Sequence, residues 1–462
     1  MTFVRQDIWT LGEEDPIITW YRYAVGVLKS REPEDVTGWD YQAAIHGNVA
    51  GPAKPLWDQC QHQSWYFLPW HRMYVLRMEE ILRAAIEEAE GPAEEWALPY
   101  WNYGLGGEFA TLPPAFREPE VNGEPNSLFV EQRGEGINGG LEFPATAITA
   151  ALALARPTFV GAAEFGGGAS IPTGFAGVAG RLERTPHNII HTTVGGWMRN
   201  PNTAAQDPIF WLHHANIDRL WHVWRETEGH EDPTEEAWGN QGFDFFDTAG
   251  EVVSMTCEEA ADTNALEYEY GPEAPPPIPQ FEPSTAVAAV FPGGEGVTSP
   301  QLIGATAQPI TLVGEQVDVE IPIDAEAAGE LAPGQRVYLN AENIEGAEDP
   351  GTAYGLYVAL PPEATPDELD AHLVDNLSFF GIERTGEPGG DEHPHAFRFA
   401  VDISGIAHEL AARGEWAGAG LRVSLRPLTL QAPTPELQEL VPSPAHPEVP
   451  ITIGRISVVY DA

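Results

Sequence analysis

The placement of the histidines constrains this chain more than any other feature. Seven of the fourteen lie in three segments rich in aromatic and aliphatic residues, at His46, His62, His71, His187, His191, His213 and His214. An imidazole buried in such surroundings without a partner costs free energy. A metal ion is such a partner, and six imidazoles in two sets of three suit a pair of copper or zinc ions. The pattern therefore predicts a buried centre for two metal ions.

The spacing of these residues also predicts helices. His187 and His191 are four residues apart, so on a helix they lie on one face and can share an ion. Phe210, His214 and Asp218 continue this rhythm, which makes Asp218 a candidate acceptor for an imidazole N–H. A run of apolar residues three and four apart follows His71 over 73–83 and indicates an amphipathic helix that begins near it.

Three motifs in these segments resemble the type-3 copper family of tyrosinases, catechol oxidases and haemocyanins. They are Cys-x-His with Phe-x-Pro-Trp-His-Arg (60–72), Pro-His-Asn-Ile-Ile-His (186–191) and Asp-Pro-x-Phe-x-x-His-His-x-x-x-Asp-Arg (207–219). The resemblance is strong over roughly residues 1–270 and weak beyond. It implies two copper ions, with O2 as co-substrate. The implied ligands are, for the first copper, His46, His62 and His71, and for the second, His187, His191 and His214.

The same resemblance assigns roles to several neighbours of these histidines. It implies a thioether between Cys60 and His62, although a small buried cysteine is the alternative. Phe210 would be the aromatic gate above the second copper, or simply core. His213 is expected outside the ligand set or in the core, and Thr192 at the pocket mouth.

Two further residues separate an enzyme from an oxygen carrier. The resemblance implies that Glu183 and Asn188 hold a water that takes the phenol proton, which is work for a carboxylate aimed by its neighbours. The alternatives are a solvated charge at a helix start for Glu183 and a capping amide for Asn188. We expect ortho-hydroxylation of monophenols and oxidation of o-diphenols to o-quinones. An enzyme restricted to o-diphenols or o-aminophenols, a haemocyanin-like O2 carrier and a structural zinc protein are the other hypotheses.

The amino-acid composition limits the classes of molecule that this protein is expected to bind. The formal net charge is −47, with 70 acidic against 23 basic residues, which argues against nucleic-acid binding because that requires a basic surface. Lys29 and Lys54 are the only lysines. A saline habitat or a bias toward arginine accounts equally well for this balance. The sequence shows no apolar run long enough to span a membrane and no secretory signal, so we expect a cytoplasmic protein unless a carrier exports it. Small phenols are the expected partners, and the oligomeric state is open.

The chain divides by composition into three parts. Residues 1–270 predict a mainly α catalytic domain with a central four-helix bundle holding the dinuclear copper site. Residues 271–300 form a Pro-rich acidic linker. Alternating segments such as 317–321 and 421–425 predict a C-terminal antiparallel β-sandwich over 301–462.

The C-terminal part weakly resembles the corresponding domain of plant-type polyphenol oxidases, which implies that it shields the copper site. We therefore expect a latent enzyme, activated by cleavage within 271–300 or by mild detergent or acid. Phe379 and Phe380 are candidates for the plug, although core packing is the expected role for the pair. Tyr268-Glu269-Tyr270 resembles the Tyr-x-Tyr that closes the family's catalytic domain against an N-terminal arginine, here Arg5.

Overall fold

The computed structural model describes residues 2–48, 54–161, 163–170, 177–271, 300–384, 397–416 and 420–461. We call residues 2–271 the N-terminal region and residues 300–461 the C-terminal region. Nearly all of the predicted linker, 272–299, lies outside the described residues. Among the helices that are described, none combines the length and apolar character needed to cross a membrane.

The N-terminal region is built mainly from helices joined by long loops. Its helices are α1 (Pro16–Lys29), α2 (Trp39–His46), α3 (Phe67–Glu88), α4 (Ala145–Ile148), α5 (Ala151–Leu154), α6 (Ile189–Val194), α7 (Ile209–Arg225), α8 (Glu236–Gly239) and α9 (Cys257–Ala260). Its short strands are β1 (Phe3–Arg5), β2 (Glu120–Val121), β3 (Glu124–Pro125), β4 (Gly242–Phe246), β5 (Val252–Thr256) and β6 (Tyr268–Tyr270). The mainly α prediction for this region is confirmed.

Local sequence explains where the main helices begin. The Asp15 side chain accepts from the Ile17 amide, and Pro16 occupies the first turn of α1, where a missing N–H has no cost. Just before α7, Asp207 accepts from the amide of Ile209, the first residue of that helix, at 3.1 Å. α3 and α7 pack against each other and are buried on most sides, so each carries polar residues into the interior.

A buried ionic cluster joins the first and last strands of the N-terminal region. β1 and β6 pair in parallel, which places Arg5 beside Tyr270. Asp218 on α7 accepts from Arg5 at 2.9 Å and also from Arg72 and Tyr270. The expected pairing of Arg5 with the Tyr-x-Tyr is confirmed. The expectation that Asp218 orients an imidazole is wrong: its carboxylate pairs instead with two buried guanidiniums, whose charges also lower its pKa.

The C-terminal region is mostly antiparallel strand. Its elements are β7 (Gln301–Ala305), β8 (Ile310–Leu312), β9 (Val317–Pro322), α10 (Ala325–Ala328), β10 (Val337–Glu345), β11 (Tyr354–Val358), α11 (Pro366–His372), β12 (Leu373–Leu377), β13 (Phe397–Asp402), α12 (Ser404–Ala412), β14 (Gly420–Pro427) and β15 (Ile451–Tyr460). One sheet has the order β13-β10-β15-β7, with β8 also on β15, and a second has the order β12-β11-β14-β9. The strands predicted from alternation at 317–321 and 421–425 are confirmed as β9 and β14.

Each region has its own apolar core, and the two regions meet over the histidines. Inward residues of both sheets share one buried cluster, which includes Phe379. The larger cluster of the N-terminal region includes one aromatic residue from near the end of β12, Phe380. Ion pairs also cross between the regions: Arg156–Asp402, Arg181–Asp375, Arg184–Asp375, Arg336–Glu164 and Arg384–Asp58.

Candidate metal centre

Three histidines from separate parts of the chain form the first group. His46 ends α2, His62 lies in the loop before α3, and His71 lies in the second turn of α3. The ring centroids of His46 and His62 are 5.3 Å apart, and those of His62 and His71 are 4.9 Å apart. All three side chains are buried. Their ligand atoms lie within 4.8 Å of one another, close enough for one ion.

The second group comes from α6, α7 and the turn that precedes α6. His187, His191, His213 and His214 offer ring nitrogens within 4.8 Å of one another. The Nε2 atoms of His191 and His214 are 3.3 Å apart. The two groups adjoin, since the rings of His71 and His214 stack at 4.4 Å. The structure therefore brings together the histidines predicted from the sequence.

Hydrogen bonds on the outer side of four rings suit them for metal binding. Nδ1 of His46 donates to the Pro201 carbonyl, that of His71 to Phe67 and that of His191 to Met198, each at 2.8 Å. Nδ1 of His187 donates to the Asn188 side-chain oxygen at 2.8 Å. Proton donation from Nδ1 leaves a lone pair on Nε2, the form in which imidazole binds a metal.

The buried Nε2 atoms of these rings fit a bound cation. Those of His46, His71 and His187 have no hydrogen-bond partner among the described residues. A buried polar atom without a partner is costly, and a metal ion removes that cost. Burial lowers the pKa of every ring in both groups, to about 3 for His71 and His191, so the imidazoles are neutral. The residues present therefore fit two cations, with three imidazoles within reach of the first and four within reach of the second.

His213 differs from the other members of the second group. Its Nδ1 lies 3.1 Å from the hydroxyl of Tyr103, and its ring stacks on His187 at 5.3 Å. Geometry alone allows it near the ion, and its place outside the ligand set stays a prediction. Phe210 is fully buried, with its ring 4.2 Å from His214 and 5.0 Å from His46. It lies between the two groups, and its role as a gate stays a prediction.

Glu183 and Asn188 lie beside the second group. Glu183 is 1% exposed, so the alternative of a solvated charge is wrong. Its Oε1 accepts from the Gln63 amide at 2.7 Å, and its Oε2 has no partner among the described residues. Burial raises its pKa to about 8. Between Glu183 and His187, Thr185 has extended angles (φ −141°, ψ 120°) that break the helix.

The C-terminal region covers this site. Thr192 donates to Asp349 at 2.6 Å and hydrogen-bonds Ser378 at 2.8 Å. The ring of Phe380 stacks on His191 at 4.3 Å and contacts His187 at 5.9 Å. The expectation that Phe379 and Phe380 pack in a core is confirmed, but the two rings belong to different cores. Phe379 packs within the C-terminal region, whereas Phe380 packs in the core of the N-terminal region, against the histidines.

Cys60 is buried next to another residue of the C-terminal region. Burial raises the pKa of its thiol to about 12. The guanidinium of Arg384 lies 3.6 Å from its sulfur and pairs with Asp58 at 3.0 Å. Sequence reasoning missed Asp349, Asp375 and Arg384, since no local motif signals a contact across more than a hundred residues.

The two adjoining histidine groups in a helical region define a dinuclear copper protein of the type-3 class. Residues 36–156 and 164–227 match the family model described as the common central domain of tyrosinase, and residues 299–461 match a domain of unknown function. Tyrosinase HcTyr1 from Hahella sp. (strain CCB-MM4) is 32% identical over 98% of both chains. The chain belongs to the tyrosinase family. It is an enzyme that oxidises phenols with O2 and two copper ions.

Plant proteins extend the comparison to the whole fold. The chloroplastic polyphenol oxidase of Vitis vinifera is 29% identical over 54% of this chain and 44% of its own. The structure of latent apple tyrosinase superposes with a TM-score of 0.64 at 20% identity, covering 100% of this chain and 97% of that one. A latent aurone synthase superposes with a TM-score of 0.63 at 19% identity, covering 100% of this chain and 89% of the other. The chain thus shares the plant fold of a helical core followed by a C-terminal domain.

Proposed function

We propose that the enzyme both hydroxylates monophenols at the ortho position and oxidises o-diphenols to o-quinones. The first copper is held by His46, His62 and His71, and the second by His187, His191 and His214. The coppers supply the binding and reduction of O2. The observation that carries the proposal is the pair of adjoining histidine groups beside a buried carboxylate, with Nε2 of His46, His71 and His187 lacking a hydrogen-bond partner among the described residues.

In this proposal Glu183 and Asn188 hold a water that takes the phenol proton. Burial raises the pKa of Glu183 to about 8, so its carboxyl group can exchange that proton near neutral pH. The Gln63 amide fixes one carboxylate oxygen and leaves the other for a water. The side-chain oxygen of Asn188 also accepts from Nδ1 of His187, which fixes the orientation of a ring that would bind the second copper.

The first experiment separates the two reactions. Glu183→Gln and Asn188→Ala are expected to lower monophenol turnover by about 10²–10⁴-fold. Diphenol turnover falls far less, because diphenols are stronger acids. The measurement is O2 uptake per copper with a monophenol and an o-diphenol in parallel, with the exposed Glu131→Gln as control. Equal losses on both substrates would assign the two residues to copper binding, and an enzyme inactive on monophenols from the start would be restricted to diphenols.

We also propose that the protein is latent and that Phe380 blocks the centre. Its ring lies against two rings of the second group and is 1% exposed, so a phenol cannot stack there while it is in place. As part of this proposal, a linker over 271–300 joins a catalytic domain (1–270) to a shielding domain (301–462). We propose that α2, α3, α6 and α7 form a four-helix bundle around the coppers, and that the two sheets form a sandwich.

A thioether between Cys60 and His62 completes the proposed site. Their closeness in the chain and the burial of both side chains support it. The crosslink restricts the His62 ring and removes a thiol from beside a redox metal. Its test is the intact mass of copper-treated protein, which decreases by two hydrogens, together with resistance of Cys60 to alkylation after denaturation. Free alkylation of Cys60 in active enzyme would contradict it.

A further inference from the structure

The segment that covers the copper centre occupies a groove lined by polar groups of the N-terminal region. We call residues 373–380 the capping segment. Its first part is β12, an edge strand that pairs on one side with β11. Its side chains at four positions contact the N-terminal region at separate points. These contacts indicate which chemical groups the groove can bind.

The groove begins with two buried arginines. Asp375 lies 3.0 Å from the guanidinium of Arg184 and 3.5 Å from that of Arg181, and all three side chains are 1–3% exposed. Arg181 also donates to the carbonyl of Val374 at 2.7 Å. Basic residues are scarce in this chain, with 23 against 70 acidic ones. Two buried arginines beside one carboxylate therefore distinguish this groove from most of the acidic protein. Arginine forms strong charge-assisted bonds to carboxylates.

Hydrogen bonds continue along the groove toward the histidines. The Asn376 amide donates to the carbonyl of Thr146 at 2.7 Å. Ser378 hydrogen-bonds Thr192 at 2.8 Å and donates to the carbonyl of Asn188 at 3.2 Å. The segment ends with the ring of Phe380 on His191. From Asp375 to Phe380, the groove therefore contacts a carboxylate, an amide, a hydroxyl and an aromatic ring.

We propose that this groove is a polypeptide subsite, and that the opened enzyme oxidises tyrosyl side chains of peptides with a carboxylate five residues before the tyrosine. The inference rests on the proposed function of the copper centre. An extended chain advances about 3.3 Å per residue, so the five steps from Asp375 to Phe380, of which β12 includes those up to Leu377, span at most about 16 Å. A free phenolic acid is too short to reach both ends, whereas a peptide reaches them.

The reaction at the end of the groove is the one proposed for small phenols. One oxygen atom of O2 enters the ring beside the hydroxyl, and the other leaves as water. The phenol supplies all four electrons and becomes an o-quinone. The arginines bind and orient the peptide, and they take no part in the electron transfer. Arg181 and Arg184 are thus specificity residues for the substrate.

The test uses the full chain opened by Asp375→Asn together with Phe380→Ala, loaded with copper. Two labelled hexapeptides are titrated by fluorescence anisotropy: Asp-Asn-Leu-Ser-Phe-Phe, which is the chain's own sequence, and the same peptide with Asn first. We expect the Asp peptide to bind at least about tenfold more tightly, as a charge-assisted contact implies. Adding Arg181→Gln and Arg184→Gln to the opened chain should abolish that difference. Equal affinity of the two peptides, or a difference that survives without the arginines, would overturn the proposal.

A second arm follows the chemistry. The peptide ending in tyrosine should gain the mass of one oxygen less two hydrogens on the opened chain, with a KM about tenfold below that of its Asn-first partner. The same preparation is assayed with a small monophenol and a small o-diphenol. If neither is oxidised, the proposed function is wrong. The anisotropy result then still tests whether the groove binds the peptide through the two arginines. If the small phenols are oxidised and the two peptides behave alike, the groove is not a peptide subsite.

Discussion

The two regions of this molecule use their buried charges in different ways. In the N-terminal region, Asp218 joins Arg5 and Arg72 within one region and holds its two ends together. In the interface with the C-terminal region, Asp375 joins two arginines that belong to the other region. Breaking a buried pair by removing one partner costs about 3–5 kcal/mol. Loss of the first cluster would destabilise the N-terminal region itself, whereas the second cluster breaks whenever the two regions separate.

The largest predicted difference between the two regions is the loss of bound copper when a histidine is replaced. His62→Ala and His191→Ala should each lose about one copper and all phenol oxidation, since affinity depends on the number and geometry of ligands. The matched control is His408→Ala in the C-terminal region, whose ring bonds the carbonyl of Gln335 far from the centre. Copper quantitation is the measurement. A wild-type protein with a single copper, or one that holds a zinc pair tightly, would contradict the dinuclear assignment.

Two adjacent phenylalanines give a sharper comparison. Phe380→Ala in the full chain should raise diphenol turnover per copper by about tenfold or more, because it removes the ring from His191. Phe379→Ala should instead lower the stability of the C-terminal region by about 3–5 kcal/mol, since it empties part of a packed core. Turnover per copper and thermal unfolding are measured on both. Identical behaviour of the two variants would show that neither ring is a specific plug.

Sequence alone located the metal centre but not its cover. Histidine spacing and motif context placed His46, His62, His71, His187, His191 and His214 correctly together. These signals are local, because helical periodicity and short motifs are written within a few residues. The partners of Asp218 and Glu183 were not predictable in the same way. Arg5 and Gln63 reach them only through long-range packing, which single-sequence patterns do not encode.

The smallest predicted effect is that of pH on closure, by which we mean the packing of the C-terminal region over the copper centre. Burial raises the pKa of Asp349 to about 6 and that of Glu383 to about 7. A carboxyl group whose pKa is raised in the closed state stabilises closure when protonated, and this contribution disappears as pH rises from the normal pKa to the raised one. Closure should thus weaken between about pH 4 and pH 7, by roughly tenfold in the open fraction.

This direction opposes the acid activation expected from the sequence. The measurement is diphenol turnover per copper after incubation at each pH, assayed at one common pH. The control is Asp349→Asn, which should remove much of the dependence. Turnover that rises as the incubation pH falls from 7 toward 4 would show that other carboxylates dominate the response. Asp402 is a candidate, because its pairing with Arg156 lowers its pKa.

We propose above all that the C-terminal region shields a centre that is already competent. Diphenol turnover per copper is therefore compared in the wild-type protein before and after cleavage within residues 271–300, and in intact Phe380→Ala. We predict that cleavage raises turnover at least about tenfold, as the removal of a steric block of the site implies, and that intact Phe380→Ala approaches the cleaved value. Equal turnover of wild-type protein before and after complete cleavage would contradict shielding and leave the C-terminal region a stabiliser of the fold.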